Sequence, residues 1–241
     1  MAQRNRELVR KREIYGSTAT DRAQWIQASC AAMLNDLNVV VRIEGAVPKA
    51  PAVFVANHLS YLDPLIVAAQ SPLTVIAKDE VQSWPLLGSV LGELGVIFVR
   101  RGCGFSGARA LRNAKRLVDK NIPLLVFAEG TTSVGDTVLP FALGAFGLAR
   151  LCNVPVVPIT IRYNDSAACW VGDDTLIAHQ LRLHKNDRIG ASIHFGTPVN
   201  SSAFATDAAF AEHVRRTIAQ RLNPTAQTQI ANRQSFLCAA E

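Results

Sequence analysis

From residue 52 to residue 222 the chain alternates two hydrophobic patterns. Short, nearly uninterrupted apolar runs at 52–56, 74–77, 96–99, 124–128, 156–161 and 191–195 predict strands buried on both faces. Longer segments at 64–70, 85–94, 106–120, 141–152, 174–184 and 207–222 carry apolar residues at helical spacing and predict helices. Strands that alternate with helices build βαβ units, so the expected fold class is α/β: a mainly parallel sheet flanked by helices. Upstream, residues 21–37 place Ile26, Cys30, Met33 and Leu37 on one helical face, with Trp25 beside it. That short N-terminal helical segment suits either packing on the core or dipping its apolar face into lipid. The expected division is 1–38, a basic tail and amphipathic helix, and 39–241, an α/β domain. Neither an internal repeat nor a long linker interrupts it.

Composition narrows the function. The chain has 241 residues, 49% hydrophobic and 18% charged, which supplies a core and argues against disorder. Aromatic residues are 7%, without the aromatic–basic pattern of a single-strand nucleic-acid binder. Lys and Arg outnumber Asp and Glu by 25 to 19, a net charge of +6 that favours anionic partners. Part of the excess lies in Arg4, Arg6, Arg10, Lys11 and Arg12, faced only by Glu7 and Glu13. Such a tail is either solvated or drawn to an anionic membrane.

The cysteines, Cys30, Cys103, Cys152, Cys169 and Cys238, are odd in number and widely spaced, against a disulfide framework or a zinc site. A charged opening with no apolar core argues against a signal peptide. Charge-free stretches such as 64–77 and 137–149 fall short of the ~20 residues a spanning helix needs. The expectation is a peripheral protein on the cytoplasmic face of a membrane.

Three strand-to-helix junctions carry unusual residues, and such junctions are where open α/β sheets gather chemistry. The first reads Asn57-His58-Leu59-Ser60-Tyr61-Leu62-Asp63-Pro64. Histidine serves as a base near neutral pH, and a carboxylate fixes its tautomer. Asp63 before Pro64 also reads as an ordinary helix N-cap. The second is Arg100-Arg101 followed by Gly102-Cys103-Gly104-Phe105-Ser106-Gly107, a G-x-G-x-x-G between strand and helix. With Glu129 about 20 residues further on, it raises an NAD(P)-dependent oxidoreductase as the alternative. Two arginines between strand and glycines, and its place away from the first strand, weigh against that. The third is Glu129-Gly130-Thr131, where Gly130 permits positive φ or close backbone approach.

Taken in order, Asn57-His58…Asp63, Gly95-Val-Ile-Phe-Val-Arg-Arg101, Phe127-Ala-Glu-Gly-Thr-Thr-Ser133 and Val154-Pro-Val-Val-Pro158 resemble the four motifs of the glycerolipid acyltransferase family, of the 1-acylglycerol-3-phosphate acyltransferase type. The resemblance implies His58 as general base on a lysolipid hydroxyl, oriented by Asp63, with no enzyme nucleophile. It implies that Asn57, Arg101, Glu129, Gly130 and Thr131 form the substrate-binding set. Arg101 would hold a phosphate, with Arg100 sharing that role or facing solvent. Glu129 would order the loop or pair with Arg101. Ala128, Thr132 and Ala142 depart from the family, which often carries Pro and cations there.

The implied function is O-acyl transfer from acyl-CoA or acyl carrier protein, without metal or redox cofactor and without nucleic acid. The default acceptor is 1-acylglycerol-3-phosphate, giving phosphatidic acid in phospholipid biosynthesis. Lyso-ornithine lipid or another lysolipid is the alternative. A non-catalytic lysolipid-binding protein is disfavoured, since binding alone needs no His–Asp pair.

Overall fold

The structure, a computed structural model, describes residues 18–49, 51–82, 91–92, 95–100, 104–172, 179 and 188–223. The basic tail and most of the expected helices 85–94 and 174–184 lie outside the described residues. Helix α1 (Ala19–Asp36) opens on a capping box: Thr18 accepts from the Asp21 N–H, and the Asp21 carboxylate accepts from that of Thr18. There follow β1 (Val39–Glu44), β2 (Val53–Ala56), α2 (Asp63–Ala68), β3 (Thr74–Lys78), the short α3 (Asp79–Gln82) and β4 (Ile97–Val99). Next come α4 (Gly104–Val118), β5 (Leu124–Val126), α5 (Gly144–Cys152), β6 (Val156–Tyr163), β7 (Ile189–Phe195) and α6 (Asp207–Leu222).

The seven strands among the described residues form one sheet in the order β1-β7-β6-β2-β5-β3-β4. β6, β2, β5, β3 and β4 are mutually parallel. β7 pairs antiparallel with β6 and parallel with β1, so these two run the opposite way. β2 is central and all four of its residues are buried. Phe54 and Ala56 pack with Ile26, Cys30 and Leu34 of α1 and with Ile66 of α2. Val53 and Val55 pack on the other side with Phe146 of α5 and with Phe210, Val214 and Ile218 of α6. Two-sided burial explains why β2 reads as a continuous apolar run rather than an alternation.

Two expectations shift. The inward face of α1 is Ala23, Ile26, Cys30 and Leu34, whereas Met33 is 39% exposed. The face dipped into lipid in the alternative reading is instead packed on the core. β1 was not expected, although four of its six residues, Val39, Val40, Val41 and Ile43, are β-branched strand formers; it is the edge strand, paired parallel with β7. Gly45, just beyond it, has φ +79°, and a side chain there would strike the carbonyl of Phe195. Among the described residues no helix is long and apolar enough to cross a membrane.

Candidate active site

β2, β5 and β6 end side by side, so the loops that follow them share one rim of the sheet. Asn57, the first residue past β2, is buried, and its amide is used on the backbone of β6. Its Oδ1 accepts from the Ile161 N–H at 2.8 Å and its Nδ2 donates to the Ile161 carbonyl at 3.0 Å. The side chain thus continues the β2–β6 pairing after the backbone leaves it, and the chain is free to turn at His58.

The turn brings His58 Nδ1 to 2.8 Å from Asp63 Oδ2. The same oxygen accepts the N–H groups of Leu59 at 2.6 Å and Ser60 at 2.8 Å. The other oxygen, Oδ1, accepts the hydroxyl of Tyr163 at 2.6 Å. Asp63 is fully buried, and four donors converge on it, a satisfied set for an acceptor-only carboxylate. This corrects the reading of Asp63 as an N-cap. α2 begins at Asp63 itself, and Leu62 precedes it in helical conformation without a side-chain cap. The carboxylate turns back to residues before the helix because three of its donors lie there.

A carboxylate on Nδ1 places the ring proton on that nitrogen and leaves Nε2 as the basic one. The ring stacks on Phe127, centroids 4.0 Å apart, and its side chain is 19% exposed. A base held on one side and open on the other can take a proton from a hydroxyl brought to Nε2.

Glu129 ties the rim together. Its Oε1 accepts the His58 N–H at 2.8 Å and its Oε2 accepts the Leu139 N–H at 2.9 Å. The Ser133 N–H closes a further bond to the His58 carbonyl at 2.9 Å. Burial pushes the Glu129 carboxyl above its ordinary value, and the bonds from Leu139 and His58 oppose that. Gly130 turns with φ +71°, a conformation that glycine adopts without steric cost. Thr131 is exposed on the same loop. Arg101 lies outside the described residues, as do Gly102 and Cys103. Arg100 is engaged elsewhere: its Nε donates to Asp79 at 3.0 Å. Sequence reasoning did not find Phe127 as the stacking partner or Tyr163 as a donor to Asp63. Tyr163 is 100 residues from Asp63, and no local signal connects them.

The glycine-rich turn follows β4, which pairs only with β3 among the described strands, at the far edge from the His58 loop. Two strands, β5 and β3, separate β4 from β2.

Comparison with known proteins places the chain. The Acyltransferase family model matches residues 38–162. A lyso-ornithine lipid O-acyltransferase of Pseudomonas aeruginosa is 36% identical over 182 residues, 73% of this chain and 69% of that protein. One from Brucella abortus is 30% identical over 203 residues, 76% of this chain and 74% of its own. The crystal structure of the 1-acyl-sn-glycerophosphate (LPA) acyltransferase PlsC from Thermotoga maritima shares the fold, with a TM-score of 0.62 and 23% identity. It covers 84% of this chain and 78% of that one. The matched span contains the whole Asn57–Asp63 turn and Glu129, and the bacterial relatives align over most of their length, so this chain belongs to the Acyltransferase family, and acyl transfer, not hydride transfer, is its chemistry.

Proposed function

We propose that this acyltransferase moves a fatty acyl group from an acyl thioester to the hydroxyl of a lysolipid, with lyso-ornithine lipid as the favoured acceptor. The His58–Asp63 pair carries the transfer step. Nε2 of His58 takes the hydroxyl proton as the acceptor oxygen attacks the thioester carbonyl carbon. The new C–O bond forms, the C–S bond breaks, and the proton passes from His58 to the leaving thiolate. Asp63 supports the imidazolium between those two events. Acyl-CoA and acyl carrier protein are both anionic donors that suit the net charge of +6.

The preference for the ornithine acceptor rests on the relatives that align over most of this chain, those of Pseudomonas and Brucella. A 1-acyl-sn-glycerol-3-phosphate acyltransferase of Saccharomyces cerevisiae is 35% identical, but over 58% of this chain and 49% of its own. Thr132 and Ala142 agree with the ornithine reading: an ornithine head group carries no phosphate and needs fewer cations around it. 1-Acylglycerol-3-phosphate is the second reading, supported by that yeast relative and by Arg101 as a forked phosphate ligand.

A panel of lysolipid acceptors, each assayed with both donor types, tests this. Wild type is expected to turn over lyso-ornithine lipid fastest. Arg101→Ala is expected to reduce transfer to 1-acylglycerol-3-phosphate more than to the ornithine acceptor. Preference of the wild type for the phosphate monoester reverses the acceptor order. Equal losses for every acceptor move Arg101 to the donor or to the fold.

The reading includes peripheral attachment at the cytoplasmic face of a membrane. Exposed apolar side chains stand on the segments that follow the strands at the rim holding His58: Val134 and Leu143 after β5, Val171 after β6, and Phe105, 92% exposed, in the first turn of α4 after β4. The α1 face packs inward, so this rim is the better candidate for the lipid contact. Binding is expected to be stronger to anionic than to zwitterionic vesicles and to weaken with salt. Equal retention on both vesicle types, unchanged by salt, would remove the electrostatic part of this proposal.

A further inference from the structure

We propose that Tyr163 is a positioning residue of acyl transfer: through its hydroxyl on Asp63 it holds the carboxylate against His58 and draws off part of the charge that the imidazole faces. Tyr163 ends β6, one residue past the span that the family model matches. Its place is fixed from the neighbouring strand. The amide of Asn57 clamps Ile161, two residues earlier, and residues two apart on a strand share a face. That face is the one on which α2 packs, so the phenol arrives beside the start of α2, where Asp63 stands.

The division of labour between the two carboxylate oxygens carries the argument. Oδ2 serves His58, Leu59 and Ser60, while Oδ1 accepts the Tyr163 hydroxyl, its one bond among the described residues. A 2.6 Å bond from a neutral hydroxyl to an anionic oxygen is short, as charge-assisted bonds are. Burial first, and then the neighbouring Asp63, push the phenol well above its ordinary value, so Tyr163 keeps its proton and donates it to Oδ1. The other groups facing this set are Glu129, bonded to the His58 N–H, the Ser60 hydroxyl and the Cys169 thiol. Burial raises that thiol, which stays neutral. None of these replaces the bond to Oδ1.

The consequence has a sign. Without the bond, Asp63 carries its charge undiminished and attracts a proton on His58 more strongly. Tyr163→Phe keeps the ring and removes one oxygen. It is expected to lower kcat about tenfold with KM nearly unchanged, the size of a lost hydrogen bond to a charged group. It is also expected to move the acidic limb of the kcat/KM profile to higher pH. Replacement of Tyr163 by 3-fluorotyrosine, a stronger donor of the same shape, is expected to move that limb to lower pH. This variant also preserves the test if the Phe protein does not fold. In an Asp63→Asn background, Tyr163→Phe should cost little more, because the two act as one unit.

A wild-type pH profile in both Tyr163 variants, or a kcat loss that adds fully to that of Asp63→Asn, overturns the proposal. It rests on His58 being the base, and the two failures are distinguishable. If the base assignment is wrong, His58→Ala retains activity. If only the role of Tyr163 is wrong, His58→Ala is inactive and the Tyr163 variants behave as wild type.

Discussion

Replacing His58 with alanine is expected to abolish acyl transfer and leave the fold intact. The bonds that shape the turn are made by the His58 backbone, its N–H to Glu129 and its carbonyl from Ser133, and alanine keeps both. The ring loses its stacking on Phe127 and its bond to Asp63, but it belongs to none of the buried core clusters. A general base contributes about 10²–10⁴-fold in rate, and among the described residues His58 is the imidazole at this turn. Radiolabelled transfer by purified protein measures the loss, and thermal unfolding checks the fold. Turnover near that of wild type would sink the mechanism.

The second large effect is expected at Asp63. In Asp63→Asn the amide oxygen can take over the three donors on Oδ2, while the amide nitrogen donates to the Tyr163 oxygen once that hydroxyl rotates. The shape of the turn survives, and the melting temperature should fall only slightly. What disappears is the negative charge beside the imidazolium, together with the bias that keeps the ring proton on Nδ1. Loss of both is expected to lower kcat about 10³-fold, comparable with neutralising the carboxylate of other His–Asp pairs. Stopped assays over a pH range, at protein concentrations high enough to detect residual turnover, provide the check. Activity within threefold of wild type would show that Asp63 only builds the turn.

These two residues were legible together because they are close in sequence. Five positions span one turn, and a histidine with an aspartate at that distance, after a buried strand, forms a pair with no help from distant chain. The partners that make the pair work were not legible. Phe127, Leu139 and Tyr163 lie on other strands and loops, and β2 meets them only because β5 and β6 flank it. Asp63 shows the limit of local reading. Asp-Pro at a helix start predicts a cap, yet its donors lie behind it in the turn and across the sheet in β6.

By itself the sequence determined the existence and type of the central elements. β2, β5 and β6 are buried on both faces, or nearly so, and their apolar runs carry that burial openly. The helical spacing of α1 was equally plain. Tertiary structure decided which of its side chains face inward, choosing Ala23 and Leu34 over Met33. It decided that the β-branched run of β1 forms the edge of this sheet, paired with β7. It also decided that β7 and β1 run against the other five strands. Strand direction depends on how the intervening chain returns to the sheet, and the apolar pattern of a strand is the same read in either direction.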